Sequence, residues 1–352
     1  MKTRKLSKRS GRTYSNLIAA VESLECRKLL SGLNFAAVTS YPLATAGNTI
    51  TGSNFAIADF NGDGFSDAAG TSISQLSVAV GKGDGSFQPP RSVFSGALPQ
   101  NFLLAANIRG GTHLAADIIT GGNVPGGGNG LEVFLNNSSN GTLSFASEGV
   151  IYTPNYTPQS AAVGDFNGDG KADLVVENET STGNYQVTLL LGNGLGSFTL
   201  RSLTTASSYP YSIAVGEFFT GSTNLDIAIA SSNPISPIVT IFPGNGDGTF
   251  GATNTFTASF APTATATYDI NNDGKADLIL SNGSSEKIGI AIGNGSGHFT
   301  PTQTVTTSNA FSSLTAADLN GDAKTDIVVT GELVLQRDAP ALTRSTAPPA
   351  SI

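Results

Sequence analysis

Four stretches of this chain place oxygen-bearing side chains at one repeated spacing. In the run 165–173, Asp165, Asn167, Asp169 and Asp173 stand at positions 1, 3, 5 and 9, and position 7, Lys171, offers its backbone carbonyl. The same pattern occurs at Asp59, Asn61, Asp63, Phe65 and Asp67, and at Asp269, Asn271, Asp273, Lys275 and Asp277. It occurs again at Asp318, Asn320, Asp322, Lys324 and Asp326. Five oxygens drawn to one point suit a hard divalent cation, and Ca²⁺ takes about 6–8 oxygen ligands. A glycine at position 6 (Gly64, Gly170, Gly274) permits the bend that turns the ligands inward, although Ala323 stands there in the last copy. Carboxylates so close together repel one another unless a cation lies between them. An Asp/Asn/Gly turn that holds no ion is the alternative for any single copy. Recurrence of the full ligand spacing favours the ion, so the sequence predicts up to four Ca²⁺.

The elements around these loops are strands. An EF-hand needs a bidentate Glu at position 12 and a helix on each side; position 12 here is Gly70, Val176, Leu280 or Val329. Short apolar runs follow the loops, such as Leu174-Val175-Val176 and Ile327-Val328-Val329, and read as buried strands. A third strand, such as Leu76 to Val80 or Val187 to Leu191, leads into a Gly/Asn turn and a Phe (Phe87, Phe198, Phe250, Phe299). A Thr/Ser-rich fourth strand then leads to the next unit. The period is near 50 residues, which marks solenoids and propellers. Units begin at 59, 107, 165, 217, 269 and 318. Two loops have lost the ligand pattern: 107–117 carries Arg109 and Gly111 where oxygens belong, and 217–226 carries Phe219 and Gly221. No tight Ca²⁺ is expected at either.

The last unit lacks a fourth strand within 34–336, and residues 35–42 read like one. The sequence therefore predicts an all-β protein, a β-propeller of six blades of four antiparallel strands, with the N-terminal strand closing the last blade. Closure would remove the exposed sheet edges of a linear array. Seven blades is the alternative. The domain reading is a basic segment 1–33 for targeting or disorder, the repeats 34–336, and a disordered Pro/Ala/Ser/Thr tail 337–352.

Charge narrows the partners. Residues 1–31 hold 8 Lys/Arg against 2 Glu, a net of +6, and the rest holds 10 Lys/Arg against 24 Asp/Glu, a net of −14. An acidic body argues against nucleic acid. The single cysteine, Cys26, lies in the basic segment, so the repeats contain neither disulfides nor thiolate metal sites. No apolar run approaches the ~18 residues of a membrane-spanning helix.

The Asp-x-Asn-x-Asp-x-x-x-Asp loops and the Gly-Asn-Gly-x-Gly-x-Phe turns resemble FG-GAP/VCBS repeats, the family that includes the β-propeller of integrin α-subunits. The resemblance implies four-stranded blades, with Ca²⁺ held between the first and second strands by the oxygens named above, and ligands on the opposite face. Leu24-Glu25-Cys26-Arg27-Lys28-Leu29-Leu30 resembles the LEPR-XLL motif of exported bacterial proteins, with Cys26 in place of the Pro. That resemblance implies a secreted or cell-surface bacterial protein.

Loops opposite the Asp loops carry Tyr152, Tyr156, Tyr185, Tyr209 and Tyr211. Their rings beside Asn and Thr could stack on sugars or grip a peptide, or else simply cover strand ends. The two histidines, His113 and His298, fall in different units without a nucleophile motif, so no enzyme is expected. The expected function is a monomeric, calcium-stabilised extracellular binding or adhesion module for a protein or glycan. A calcium-hardened structural spacer and a polysaccharide-active enzyme are the alternatives.

Overall fold

The computed structural model describes residues 55–307 apart from 73, 85, 100, 110–114, 124–127, 140, 153–155, 181–184 and 203–209. Beyond them it describes 313–317, 326–330, 334–336 and 342–344. The export motif, the strand read at 35–42, Tyr209, His113, and Asp318, Asn320, Asp322 and Lys324 lie outside the described residues.

Six four-stranded antiparallel sheets follow one another along the chain. The first is β1 (Phe55–Ala58), β2 (Asp67–Ser72), β3 (Gln75–Ala79) and β4 (Arg91–Ser95). The second is β5 (Phe102–Ala106), β6 (Asp117–Asn123), β7 (Asn129–Asn136) and β8 (Phe145–Tyr152). The third is β9 (Tyr156–Gly164), β10 (Asp173–Thr180), β11 (Tyr185–Gly192) and β12 (Phe198–Ser202). The fourth is β13 (Pro210–Gly216), β14 (Asp226–Ser231), β15 (Ile238–Phe242) and β16 (Asn254–Thr257). The fifth is β17 (Ala264–Tyr268), β18 (Asp277–Asn282), β19 (Lys287–Gly293) and β20 (Phe299–Thr306). The sixth is β21 (Ser313–Ala317), β22 (Asp326–Thr330), β23 (Val334–Gln336) and β24 (Leu342–Arg344). Each is a plain meander, so every connection is local.

First strands lie side by side along the series: β1 with β5, β5 with β9, β9 with β13, β13 with β17, and β17 with β21. The second strands are buried on both faces, as β2, β14 and the first six residues of β10 show. This accounts for their continuous apolar runs, since a strand covered on both sides has no polar face to alternate with.

The core is divided among the seams between sheets. Phe60, Leu76 and Val78 of the first unit meet Leu103, Ile118 and Phe134 of the second. Four further clusters fill the remaining seams, the last joining Ile279, Ile288 and Ile290 to Ile327. The two Phe positions of the repeat meet there. The loop Phe of one unit packs on the turn Phe of the next: Phe60 on Phe145 at 6.3 Å, Phe166 on Phe250 at 6.1 Å, and Phe218 on Phe299 at 5.3 Å between ring centroids. Such aromatic pairs add about 0.5–1.5 kcal/mol beyond burial. The motif therefore fastens each sheet to its successor as well as shaping its own turn.

One expectation is corrected. The fourth strand of the sixth sheet is β24, from the segment read as a disordered tail, paired to β23 through Val334↔Arg344, Leu335↔Thr343 and Gln336↔Leu342. Residues 35–42, expected in that place, lie outside the described residues. A short local connection from 336 to 342 closes the hairpin at less entropic cost than a partner some 300 residues away.

Candidate functional site

The loop begins and ends at one register position. Its last Asp pairs with the residue just before position 1 in all six sheets: Ala58↔Asp67, Ala106↔Asp117, Gly164↔Asp173, Gly216↔Asp226, Tyr268↔Asp277 and Ala317↔Asp326. The loop is thus a wide β-turn with its ends held together by the ladder. The loops of the first, third and fourth units bond the loop, or the turn between third and fourth strands, of the next unit on the same rim. Ala116 N donates to Asp59 O at 3.0 Å, Gly248 N to Phe166 O at 2.9 Å, and Thr220 N to Gly295 O at 2.8 Å.

Position 9 does more than the sequence suggested. Asp67, Asp117, Asp173, Asp226 and Asp277 are buried, and in each the two carboxylate oxygens accept backbone N–H groups. One oxygen takes the N–H of position 2: Phe60 at 2.8 Å, Ile108 at 3.0 Å, Phe166 at 2.9 Å, Phe218 at 2.7 Å and Ile270 at 3.0 Å. The other takes the N–H at the end of the third strand: Gly81, Asn136, Gly192, Gly244 or Gly293, at 2.7–2.8 Å. This Asp therefore clasps the loop to the third strand. Burial raises the carboxyls of Asp67, Asp173, Asp226 and Asp277 above their ordinary value, and the two backbone N–H groups pull them partly back. The glycine at the clasp is required by space, because a Cβ on Gly192 would run into the carbonyl oxygen of Ala172.

Positions 1, 3 and 5 form the open part of the loop. Asp59 Oδ1 accepts from Gly62 N at 2.7 Å and its Oδ2 from Gly64 N at 2.8 Å. Asn61 Oδ1 accepts from Asp63 N, and Asp63 Oδ1 from Phe65 N, both at 2.9 Å. Asp165, Asn167 and Asp169 repeat these bonds, and Asp269, Asn271 and Asp273 repeat most of them. Asp63, Asp169 and Asp273 are exposed, and Asp59, Asp165 and Asp269 half-buried. Lys171 and Lys275 each fold back on the Asp of their own loop, at 3.2 and 3.3 Å. Partial desolvation raises the Asp169 carboxyl, but the N–H and ammonium of Lys171 outweigh it and hold it below the ordinary range. Asp273 is held down in the same way by Lys275.

The donor set is all oxygen, which fits a hard cation. Among the described residues no three His, Cys, Asp or Glu side chains stand together as a metal group. Asn and backbone carbonyls must therefore complete any shell. Each clasp oxygen retains a second lone pair for an ion. Asp326 opens β22, while the rest of its loop lies outside the described residues.

The two degenerate loops keep the clasp and replace the open part. In the second unit the Arg109 guanidinium bonds Asp117 Oδ1 at 2.9 Å, Asn137 Oδ1 at 3.1 Å and the Asn136 carbonyl. A side-chain cation thus stands beside Asp117. In the fourth unit Phe219 bridges to Ser296 of the next sheet, docking the loop by backbone bonds and an apolar ring. Arg109→Ala should cost about 1–3 kcal/mol, because it leaves a buried carboxylate short of its charged partner. Urea melts with and without chelator check this, and the loss should be the same in both.

Tyr152, Tyr156, Tyr185 and Tyr211 fall on the opposite rim. Tyr152 closes β8 opposite Gly130, at the β6–β7 turn. Tyr156 opens β9 opposite Thr180, and Tyr185 opens β11 opposite Glu179. Tyr211 is the extra residue of a bulge between Pro210 and Ser212 and is 55% exposed. A second bulge isolates Gln159 in β9. Bulges re-aim side chains and recur beside functional sites. Gln159 donates to Glu179 at 2.9 Å and accepts from Asn101 at 3.0 Å, while Asn129 donates to Thr157 at 2.7 Å. This polar chain ties the second and third sheets beneath the tyrosines. The sequence reading missed it, since none of its members forms a spaced motif. His298 is exposed in a hairpin turn, its backbone N–H donating to Asn294.

Known proteins agree with this geometry. Residues 114–176, 219–280 and 269–329 match the FG-GAP-like repeat, and each match ends on the strand after an Asp loop. Among solved structures the chain is similar to an Agrocybe aegerita lectin described for specific recognition of non-reducing terminal N-acetylglucosamine. Identity is 20%, coverage 85% of this chain and 81% of that one, and the TM-score 0.61. It is also similar to Saccharomyces cerevisiae Sqt1, at 12% identity, 76% and 66% coverage and a TM-score of 0.49. No curated protein matches the sequence.

Proposed function

The chain is built of FG-GAP-like repeats, and from that premise we propose a calcium-stabilised extracellular β-propeller that binds a glycan or protein ligand through its tyrosine rim. The observation that carries this is the separation of the two rims. Oxygen-rich loops gather at one end of the sheets, and exposed or half-buried tyrosines with a bonded amide chain gather at the other. Ca²⁺ would be held by Asp59, Asn61, Asp63, Phe65 O and Asp67, and by the matching residues of the third, fifth and sixth loops. It would neutralise carboxylates whose partners are otherwise mostly backbone N–H groups.

Six sheets would close a ring with the sixth against the first. Phe55 and Ile57, on the face of β1 turned away from the first seam, are 43% and 54% exposed. An apolar face of this kind suits burial against another sheet. The lectin neighbour, which recognises non-reducing terminal N-acetylglucosamine, favours a glycan over a peptide as the first class to try. No catalytic role is assigned, and a secreted or surface location accords with calcium supply.

The test is a glycan array probed at fixed Ca²⁺ with the full chain, Tyr156→Ala and Tyr211→Ala. Both variants should lose binding about tenfold while melting within about 0.5 kcal/mol of the parent. A chelator should lower the melting temperature of all three; an ion at 100-fold its Kd contributes about 2.7 kcal/mol. Unchanged melting in chelator removes the calcium role. Absence of any glycan or protein ligand leaves the propeller as a spacer.

A further inference from the structure

The first and second sheets also shape a surface away from the tyrosine rim. A cleft of about 320 Å³ opens between the outer strand of the first sheet and the turn into the last strand of the second. Arg91, Ser92 and Val93 of β4 form one wall, and Thr142, Leu143, Ser144 and Phe145 form the other. Val93, Leu143 and Phe145 pack on the seam cluster beneath, giving the cleft an apolar floor. Arg91, Thr142 and Ser144 are exposed at its mouth. Arg91 has no ion-pair partner among the described residues, whereas Arg109, Lys171 and Lys275 are all engaged with carboxylates.

We propose that this cleft binds an acidic sugar, a uronate residue of an anionic polysaccharide, with Arg91 on the carboxylate. The guanidinium offers a planar fork that matches a carboxylate bidentately. The Thr142 and Ser144 hydroxyls can donate to or accept from ring hydroxyls. The apolar floor suits the C–H face of a pyranose. The volume lies at the lower end of small-ligand pockets, enough for one or two sugar residues. Charge sharpens the choice: on an acidic body a polyanion is drawn to cations outside the ion pairs, and of these Arg91, unlike Lys82, Arg201 and Lys287, lines the cleft. A peptide strand added to the β4 edge is the competing occupant. It is disfavoured because β4 is bulged against β3 at Leu76/Ser77, and a bulged edge twists away from strand addition.

The experiment is calorimetric titration of the full chain at constant Ca²⁺ with three probes: tetraglucuronate, its methyl ester, and a tetrapeptide of aspartate. Tetraglucuronate should bind at least about tenfold more tightly than its ester, the range of one charge-assisted hydrogen-bonded contact. Arg91→Ala should abolish that preference and Arg91→Lys should retain part of it. Ser144→Trp should block the cleft without altering charge. Leu200→Ser, at an exposed position of β12 outside the cleft, should leave the affinity unchanged, and Tyr156→Ala reports whether the tyrosine rim contributes. Equal binding of acid and ester, or full binding by Arg91→Ala, overturns the proposal. Loss on Tyr156→Ala would move the acidic sugar to the other rim, and tighter binding of the peptide would give the cleft to a protein ligand.

Discussion

Asp173→Ala is expected to destabilise the protein by about 2–6 kcal/mol, with or without calcium. The substitution strands two buried N–H donors, Phe166 N and Gly192 N, which now sit 2.9 and 2.8 Å from its oxygens. A buried donor left without a partner costs about 1–3 kcal/mol, and the Asp173 side chain is fully buried. Whole domains are stable by only about 5–15 kcal/mol, so the third sheet should be the first to open. Asp169→Ala gives the contrast. Asp169 is exposed and bonds only Lys171 and its own loop. In chelator that variant should melt close to the parent, while in calcium it should fall short of it. Urea melts of both variants in both conditions decide the matter. If Asp173→Ala loses stability only in calcium, its carboxylate is an ion ligand first and a clasp second.

The repeat itself was plain in the sequence, because ligand spacing, apolar runs and Gly/Asn turns recur together every 50 residues or so. Position 9 was half legible. A ligand Asp and a clasp Asp are the same letter, and only the persistence of Asp117 and Asp226 in loops that had lost their other oxygens hinted at a second duty. The Phe positions were visible as motif, but not their partnership, since Phe166 and Phe250 belong to different units and meet only across a seam. Strand ends were the poorest. Leu174 to Val176 read as a strand, whereas β10 runs on through Glu177, Asn178 and Glu179 to Thr180, residues whose polarity suggests a loop. The tail segment carrying β24 is rich in Pro, Ala, Ser and Thr, and three residues of ladder leave no periodicity to detect.

The largest pH effect should come from that polar stretch of β10. Glu177 is fully buried, and neither carboxylate oxygen has a hydrogen-bond partner among the described residues. It shares the face of Val175, which packs with Val187, Ile213 and Ile229 in the seam between the third and fourth sheets. Burial pushes its carboxyl from 4.5 up to about 8, helped by the charge of Glu179 two residues on. A group whose pKa is raised on folding supports the fold fully below its unfolded pKa and loses that support as pH rises through the folded value. The parent protein should therefore weaken steadily between about pH 4.5 and pH 8, by up to about 5 kcal/mol at 1.36 kcal/mol per unit. Glu177→Leu should remove the slope and, at pH 8, exceed the parent in stability, since an apolar side chain there has no charge to desolvate. Melts of the parent and of Glu177→Leu from pH 5.5 to 8.5 at saturating calcium isolate this one group as the difference between the two slopes, because Glu132 and Asp226, also raised by burial, are common to both. A parent whose stability is flat over that range, or a Glu177→Leu protein that is weaker at pH 8, would mean the carboxyl finds a partner in solution. The location gives such a partner a direction to come from: Glu177 lies one strand turn inside the rim where Tyr156, Tyr185 and the Gln159–Glu179 pair are gathered. A cationic or hydroxyl-bearing ligand seated on that rim should then shift the midpoint of the slope, a second readout of the same residue.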